Sequence, residues 1–171
     1  KDGQLNSYLN HFLFLIYNNS NIIFIFMKLK EKIDLLKNKG VAVTIQRYAV
    51  LEYLYNNPTH PTAEEIYQDL KKRFPTISEA TIYNTLQLFK NHNLIQEITI
   101  EKGKSHFDYE TKPHHHFLCR RCGRICDIDV EGCPLVGKKM IDGHRIEEVK
   151  PYILGICSKC LKEEKANEKD E

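Results

Sequence analysis

The chain has 171 residues, 42% of them hydrophobic, and a formal net charge of +2. That length suits one large or two small domains, and the apolar content excludes bulk disorder. The near-neutral balance neither supports nor excludes nucleic acid, because a local basic face can bind phosphates in a protein of low total charge.

The first 26 residues differ from the rest. Phe12–Tyr17 and Ile22–Phe26 are apolar but are split by Asn18, Asn19, Ser20 and Asn21. Neither piece reaches the roughly 20 apolar residues that span a bilayer, and a signal peptide would need a basic start and a small-residue cleavage site. The reading is that Met27 is the natural start and residues 1–26 are a non-native or disordered extension. The alternative is an amphipathic arm that packs on a partner.

Four helical patterns follow. Lys28–Asn38 places Leu29, Ile33 and Leu36 on one face and stops at Gly40. Thr44 caps Ile45–Tyr55, which points Val50, Leu51 and Leu54 inward. Thr62-Ala-Glu-Glu65 is a capping box opening a third helix with Ile66, Leu70 and Phe74, ended by Pro75. Ser78 caps Glu79–Asn91, whose inner stripe is Ile82, Tyr83, Leu86 and Phe89. Gln96–Ile100 and Ser105–Tyr109 then form a hairpin turning at Gly103. Helices closed by a short hairpin describe a winged helix-turn-helix domain over 27–109, and 110–113 reads as a hinge.

Beyond the hinge the pattern becomes strands: Phe117–Cys119, Arg124–Ile128, His144–Val149 and Tyr152–Cys157, with a short helix at Pro134–Ile141. This second domain covers 114–161, and 162–171 is a charged tail that frays. The fold class is α+β: an amino-terminal winged helix-turn-helix domain and a carboxy-terminal α/β domain.

Six cysteines carry chemistry. Four stand as CxxC pairs, Cys119/Cys122 and Cys157/Cys160, while Cys126 and Cys133 stand alone. A secreted disulfide scaffold is usually shorter and denser in cysteine, so thiolates in a reducing cytoplasm are expected. Each pair points two sulfurs at one ion, and two pairs complete a zinc tetrahedron. Gly123 permits the tight turn, and Arg121 and Lys159 can offset negative charge. A redox dithiol or buried thiols are the alternatives for either pair alone. With every position filled by protein, the site is structural.

His114-His-His116 precedes the first of these cysteines. In a strand His114 and His116 share a face and His115 takes the other. Asp108 precedes the hinge, Asp127 follows the knuckle, and His60 lies in a loop of the first domain. Imidazoles mixed with carboxylates suit iron(II) or manganese(II) better than a thiolate set does. The alternative is a solvated histidine cluster with ordinary surface acids. His106, His144 and Asp129 read as surface residues and His115 as a bystander or auxiliary ligand.

Thr44-Ile-Gln-Arg47, His60-Pro-Thr-Ala63, Ser78-Glu-Ala-Thr81-Ile-Tyr83-Asn84-Thr85-Leu86, the His114–Gly123 run and the Cys157/Cys160 pair, in this order, resemble the ferric uptake regulator family over about residues 30–161. Within it the chain looks most like the peroxide-responsive branch, whose regulatory site of three histidines and two aspartates matches His60, Asp108, His114, His116 and Asp127. The resemblance implies a metal-dependent, DNA-binding repressor that forms a homodimer, binds palindromic operator DNA and carries structural Zn2+ and regulatory Fe2+ or Mn2+. It further implies peroxide sensing by iron-catalysed oxidation of His60 or His114, with no catalytic turnover. Some relatives have a further metal site with a histidine eight residues before the second CxxC, where this chain has Val149. A third site is therefore not expected, and Cys126 and Cys133 read as small core residues.

On this reading Glu79–Asn91 is the recognition helix, presenting Ser78, Thr81, Tyr83 and Asn84; Gln46 and Arg47 contact phosphate, and Lys102 and Lys104 reach the backbone or minor groove from the wing. Tyr83 is equally open to a core role. The rivals are an iron-responsive regulator without peroxide sensing, a zinc-uptake regulator, a zinc-stapled scaffold without DNA binding, and a metalloenzyme. A zinc deaminase would need an HxE motif and an open zinc position, and here the triplet is His114-His-His116.

Overall fold

The fold is that of a computed structural model describing residues 20–100, 103–131, 134, 137–147, 149 and 152–167, with 20–26 described by their backbone. Helix α1 runs Ser20–Asn38, so it begins upstream of Met27, and residues 20–26 are helical rather than disordered. Residues 1–19 of the expected extension lie outside the described residues. Leu29 and Leu36 are buried, Ile33 packs beside them, and Gly40 ends the helix at φ +73°.

The next three helices start where side chains cap them. Thr44 accepts the Arg47 amide at the head of α2, Ile45–Asn56. Thr62 and Glu65 form the reciprocal capping box of α3, Ala63–Arg73. Ser78 accepts the Thr81 amide to open α4, Glu79–Asn91. Their inner faces meet in one core built on Val50, Leu54, Ile66, Ile82, Leu86 and Phe89. Tyr83 does not join that stripe: it is 55% exposed, on the outward face of α4. Thr85, two residues further on, is buried on the same helix. Phe74 is partly buried and forms the C-cap of α3.

Strands β1, Gln96–Ile98, and β2, His106–Asp108, pair antiparallel, Gln96 opposite Asp108. Gly103 turns between them at φ +83°, and Lys102 lies outside the described residues. Both strands are shorter than the expected spans. The amide of Phe107 donates to the Pro61 carbonyl at 3.0 Å, and Thr62 bridges His106, so the loop before α3 is laced to β2.

A second sheet follows the hinge. Strand β3, His115–Cys119, is central, antiparallel to β4, Ile125–Ile128, and parallel to β7, Tyr152–Gly155. Gly155 is needed for a close approach: a Cβ there would stand 2.9 Å from the Phe117 ring. The expected helix at Pro134–Ile141 does not match the fold. Met140–Ile141 is strand β5 and pairs with β6, His144–Arg145. Asp142 and Gly143, at φ +45° and +81°, make the tight turn that an Asp-Gly pair favours. Gly137 at φ +80° also opposes helix, and Cys133 lies outside the described residues. The strand expected at His144–Val149 is likewise shorter, ending at Arg145.

The charged tail is helical over 162–167, and 168–171 lie outside the described residues. Helix α5 spans Ser158–Asn167, with the Leu161 amide donating to the Cys157 carbonyl. An ion pair of 2.7 Å between Arg121 and Glu164 ties it to the turn after β3. Among the described residues no helix is long and apolar enough to cross a membrane.

Candidate metal centres

The first centre is assembled by sheet registry. Cys119 ends β3 directly beside Gly155 of β7, so the two CxxC segments leave the sheet side by side. The turn after β3 closes with Cys119 and Arg124 joined by a 2.9 Å backbone bond and Gly123 at φ +70°. Cys157 precedes α5 and Cys160 lies in its first turn. The sulfurs of Cys119 and Cys160 are 3.9 Å apart, those of Cys122 and Cys157 3.8 Å. A disulfide would need about 2.05 Å. A tetrahedral ion with bonds of about 2.3 Å has sulfurs about 3.8 Å apart at its corners. The donor set therefore fits zinc. The backbone amides of Cys122 and Cys157 hold the Cys119 thiol down to about 6, which favours the thiolate a metal needs. Burial pushes the Cys160 thiol up to about 12, so a bound cation is what would keep that sulfur ionised. Arg121 donates to the Cys160 carbonyl at 3.1 Å, whereas Lys159 faces Glu163.

The second centre draws on four segments. His60 comes from the loop between α2 and α3, Asp108 from β2, His114 and His116 from the start of β3, and Asp127 from β4 directly opposite His116. One ligand atom from each of the five lies within 4.8 Å of every other. The Asp127 carboxylate is 2.8 Å from His60 Nε2, 3.1 Å from His114 Nε2 and 3.6 Å from His116 Nε2. Asp108 Oδ2 is 3.1 Å from His114, 3.6 Å from His116 and 3.9 Å from His60. For bonds of about 2.1 Å, neighbouring ligands stand about 3 Å apart and opposite ligands about 4.2 Å. The spread fits five ligands around one ion.

Burial makes the same point. His60, Asp108 and His116 are 2%, 6% and 4% exposed. Both ring nitrogens of His60, Nε2 of His116 and Oδ2 of Asp108 are buried without a hydrogen-bond partner. Orphaned polar atoms facing one another are costly unless a cation satisfies them. The protonation states suit ligation. Burial lowers the His60 pKa against the pull of Asp127 and Asp108, which favours the neutral ring. Burial works against the charge on Asp108, yet the neighbouring His116 ring and a bond from the Glu110 amide hold its carboxyl below the usual range. His114 is raised despite burial, through the Lys112 carbonyl and the two aspartates. That carbonyl sits 2.8 Å from His114 Nδ1 and aims Nε2 into the cluster.

His115 is buried on the other face of β3 and takes no part, and His144 and Asp129 are also apart from both clusters. Among the described residues these two clusters are the metal-competent groups, and neither includes Cys126 or Val149.

The expected nucleic-acid contacts lie on α2, α4 and the wing. Tyr83 and Asn84 are exposed on α4. Ser78 and Thr81 face each other at 2.9 Å within the cap. Gln46 and Arg47 are half-buried in the first turn of α2, where Arg47 also bonds the Ala42 carbonyl. Lys104 is exposed beside Gly103. Sequence reasoning missed α5, the β5–β6 hairpin and the contact of His106 with the His60 carbonyl.

The model of the ferric uptake regulator family matches residues 38–151. The peroxide operon regulator of Bacillus subtilis (strain 168) is 40% identical over 139 residues, covering 80% of this chain and 96% of that protein. The peroxide-responsive repressor PerR of Staphylococcus aureus (strain USA300) is 41% identical over 140 residues, covering 78% and 91%. Among solved structures, the Vibrio cholerae ferric uptake regulator aligns with a TM-score of 0.59 at 28% identity, covering 71% of this chain and 96% of that one. The Helicobacter pylori ferric uptake regulator shares the fold, with a TM-score of 0.64 at 20% identity over 80% and 93%. A family match across more than half of the chain, and two relatives matched over nearly their whole length, make this chain a member of the ferric uptake regulator family.

Proposed function

We propose that the protein is a metal-dependent, DNA-binding transcriptional repressor that senses peroxide. It would act in the cytoplasm as a homodimer on palindromic operator DNA, holding Zn2+ at the four cysteines and Fe2+ or Mn2+ at His60, Asp108, His114, His116 and Asp127. The observation that carries this reading is the convergence of five ligand atoms from both sides of the 110–113 connection. Its support in kind comes from relatives named as peroxide regulators at 40% and 41% identity.

A ligand set drawn from a loop of the helical domain and from the second sheet ties domain angle to occupancy. Two recognition helices reach two half-sites only at one spacing, so fixing the angle controls binding. Asn84 and Tyr83, exposed on α4, would meet the groove and phosphates, helped by Gln46, Arg47, Ser78, Thr81, Lys102 and Lys104. Strand β7 leaves Ile153 and Leu154 exposed at a sheet edge with Ile156 just beyond it, an apolar surface suited to a second copy.

The regulatory site is closed on the His60 side and open at Asp127, whose side chain is 47% exposed. A small oxidant can enter there. Bound iron(II) supplies one-electron chemistry toward peroxide that manganese(II) does not readily supply. The net change is transfer of one peroxide oxygen to a ring carbon of His60 or His114, with loss of two electrons from the imidazole and release of the other oxygen as water. An oxidised ring is a poorer ligand, so the clasp opens and DNA is released. Each molecule responds once, which makes it a sensor without turnover.

Intact-mass spectrometry after peroxide treatment tests this. Iron-loaded protein is expected to gain one oxygen at His60 or His114, and manganese-loaded protein none. No histidine oxidation with iron sinks the peroxide role and leaves an iron-responsive regulator.

A further inference from the structure

His60 differs from the other ligand whose outer nitrogen is visible. His114 rests its Nδ1 on the Lys112 carbonyl, the usual way a ligating histidine is oriented. His60 Nδ1 is buried with no such partner. Its ring is 2% exposed and sits 2.8 Å from Asp127, so something else must aim it. The backbone supplies the clue. His60 has φ +55°, a left-handed conformation that a non-glycine residue keeps only where its surroundings over-determine it.

Those surroundings are β2. His106 Nδ1 lies 2.8 Å from the His60 carbonyl. A carbonyl only accepts, so His106 must carry a proton on Nδ1 and donate it. The next two links continue the lacing: Phe107 N–H to the Pro61 carbonyl at 3.0 Å, and the Thr62–His106 bridge. The main-chain links fix the loop as a whole, while the His106 imidazole meets the backbone carbonyl of the strained residue itself. His106 stands two residues before Asp108 on the same strand, so one strand delivers a ligand and holds another.

We propose that His106 is a positioning residue for the regulatory metal: its Nδ1–H clamps the His60 carbonyl and maintains the left-handed turn that presents His60 Nε2 to the ion. The role rests on the five-ligand reading above. His106 also lines a groove of about 560 Å³ with Tyr83, Lys104 and Thr62, between the wing and the cysteine turn. Without the clamp the His60 backbone relaxes toward negative φ and the ring swings away from Asp127.

Three variants of the full, zinc-loaded chain test the clamp. Asn places an amide donor where Nδ1 stands, Gln places it one carbon farther out, and Leu has none. Free Mn2+ is followed by electron paramagnetic resonance during titration. His106→Leu is expected to weaken Mn2+ binding by about ten- to a hundredfold, His106→Gln comparably, and His106→Asn to stay within a few-fold of wild type. Zinc content and metal-free melting should be alike in all, and the cobalt absorption bands of the regulatory site should shift with Leu and return with Asn. A merely structural role would not sort Asn from Gln in this way. Wild-type affinity in His106→Leu, or equal weakness of Asn and Gln, overturns the proposal. If His106→Leu does not hold zinc, the Asn–Gln comparison carries the test. No Mn2+ uptake by the wild type would overturn the five-ligand reading itself, and this inference with it.

Discussion

The two halves of the molecule are held together differently. The helical half buries a continuous apolar core, with Val50, Ile66, Ile82 and Phe89 at 0% exposure. Among the described residues the sheet half contributes Leu118 and Ile125 to a small cluster shared with Ile98 of β1, and has a second one made of Cys119, Cys157 and Cys160 beside Phe117. Hydrophobic burial suffices for the first, at about 25 cal/mol per Å² of apolar surface. The second uses sulfur where a larger domain would use leucine, and with zinc bound as proposed its stability would rest on metal–thiolate bonds.

Removing the zinc should break this comparison most sharply. Structural zinc contributes about 10 kcal/mol or more to small domains. Cys160→Ser, or chelation under mild denaturant, is expected to unfold β3, β4, β7 and α5 while the helical circular dichroism of α2 to α4 persists. A single transition abolishing both would mean that the halves do not fold independently. Phe89→Ala tests the opposite side. A fully buried phenylalanine truncated to alanine costs about 3–5 kcal/mol, and the loss should appear in helix melting with bound zinc unchanged.

The second cluster belongs to neither half alone. Asp108→Asn keeps the shape of a buried side chain but removes its charge among three histidines. It should lower Mn2+ affinity at least about a hundredfold, near 2.7 kcal/mol, measured by competition with a chelator. Thermal midpoints without added manganese should barely move. A large fall there would show that this cluster is a structural element like the cysteines.

Legibility in the sequence follows the same division. Local signals were strong in the helical half: Thr44, Thr62 and Ser78 each cap the helix they precede, and the capping box forms as its spacing requires. Tyr83 was ambiguous because periodicity places it at the margin of the apolar stripe, and only packing puts it outside. In the sheet half the residues that cluster as candidate ligands could be picked out from type and spacing, but the elements could not. The Asp142-Gly143 turn lies in a short segment where weak helical content outweighed the hairpin signal. Helix α5 is half charged, and Arg121 holds it through Glu164 and the Cys160 carbonyl, contacts with no trace in local pattern. His106 was read as a surface residue, since its value depends on the backbone of a residue 46 positions away.

The smallest expected effect lies at the border between the halves. Lys32 on α1 donates to the Leu94 carbonyl at 2.5 Å and to the carbonyl of Tyr109, and its ammonium sits 3.6 Å from the Tyr109 ring centre. Tyr109 follows the ligand Asp108 and donates in turn to the Lys28 carbonyl. Burial outweighs the carboxylates of Glu110, Asp108 and Glu31 and pushes the lysine down from 10.5 to about 8. The folded state therefore binds fewer protons than the unfolded state between about pH 8 and 10.5. Stability must rise with pH across that window, and the cost of the buried charge is present in full below it. The neutral amine still has two N–H donors for the two carbonyls, so deprotonation need not break the latch. Lys32→Met removes this titration, and subtracting its unfolding free energy from wild type cancels the tyrosines and thiols that titrate nearby. The difference should move in favour of wild type by about 1 kcal/mol between pH 7.5 and 10.5, after allowance for solvent screening. A pH-independent difference would show that water reaches Lys32 freely, and that α1 does not seal the seam between the apolar half and the half built on metal ligands.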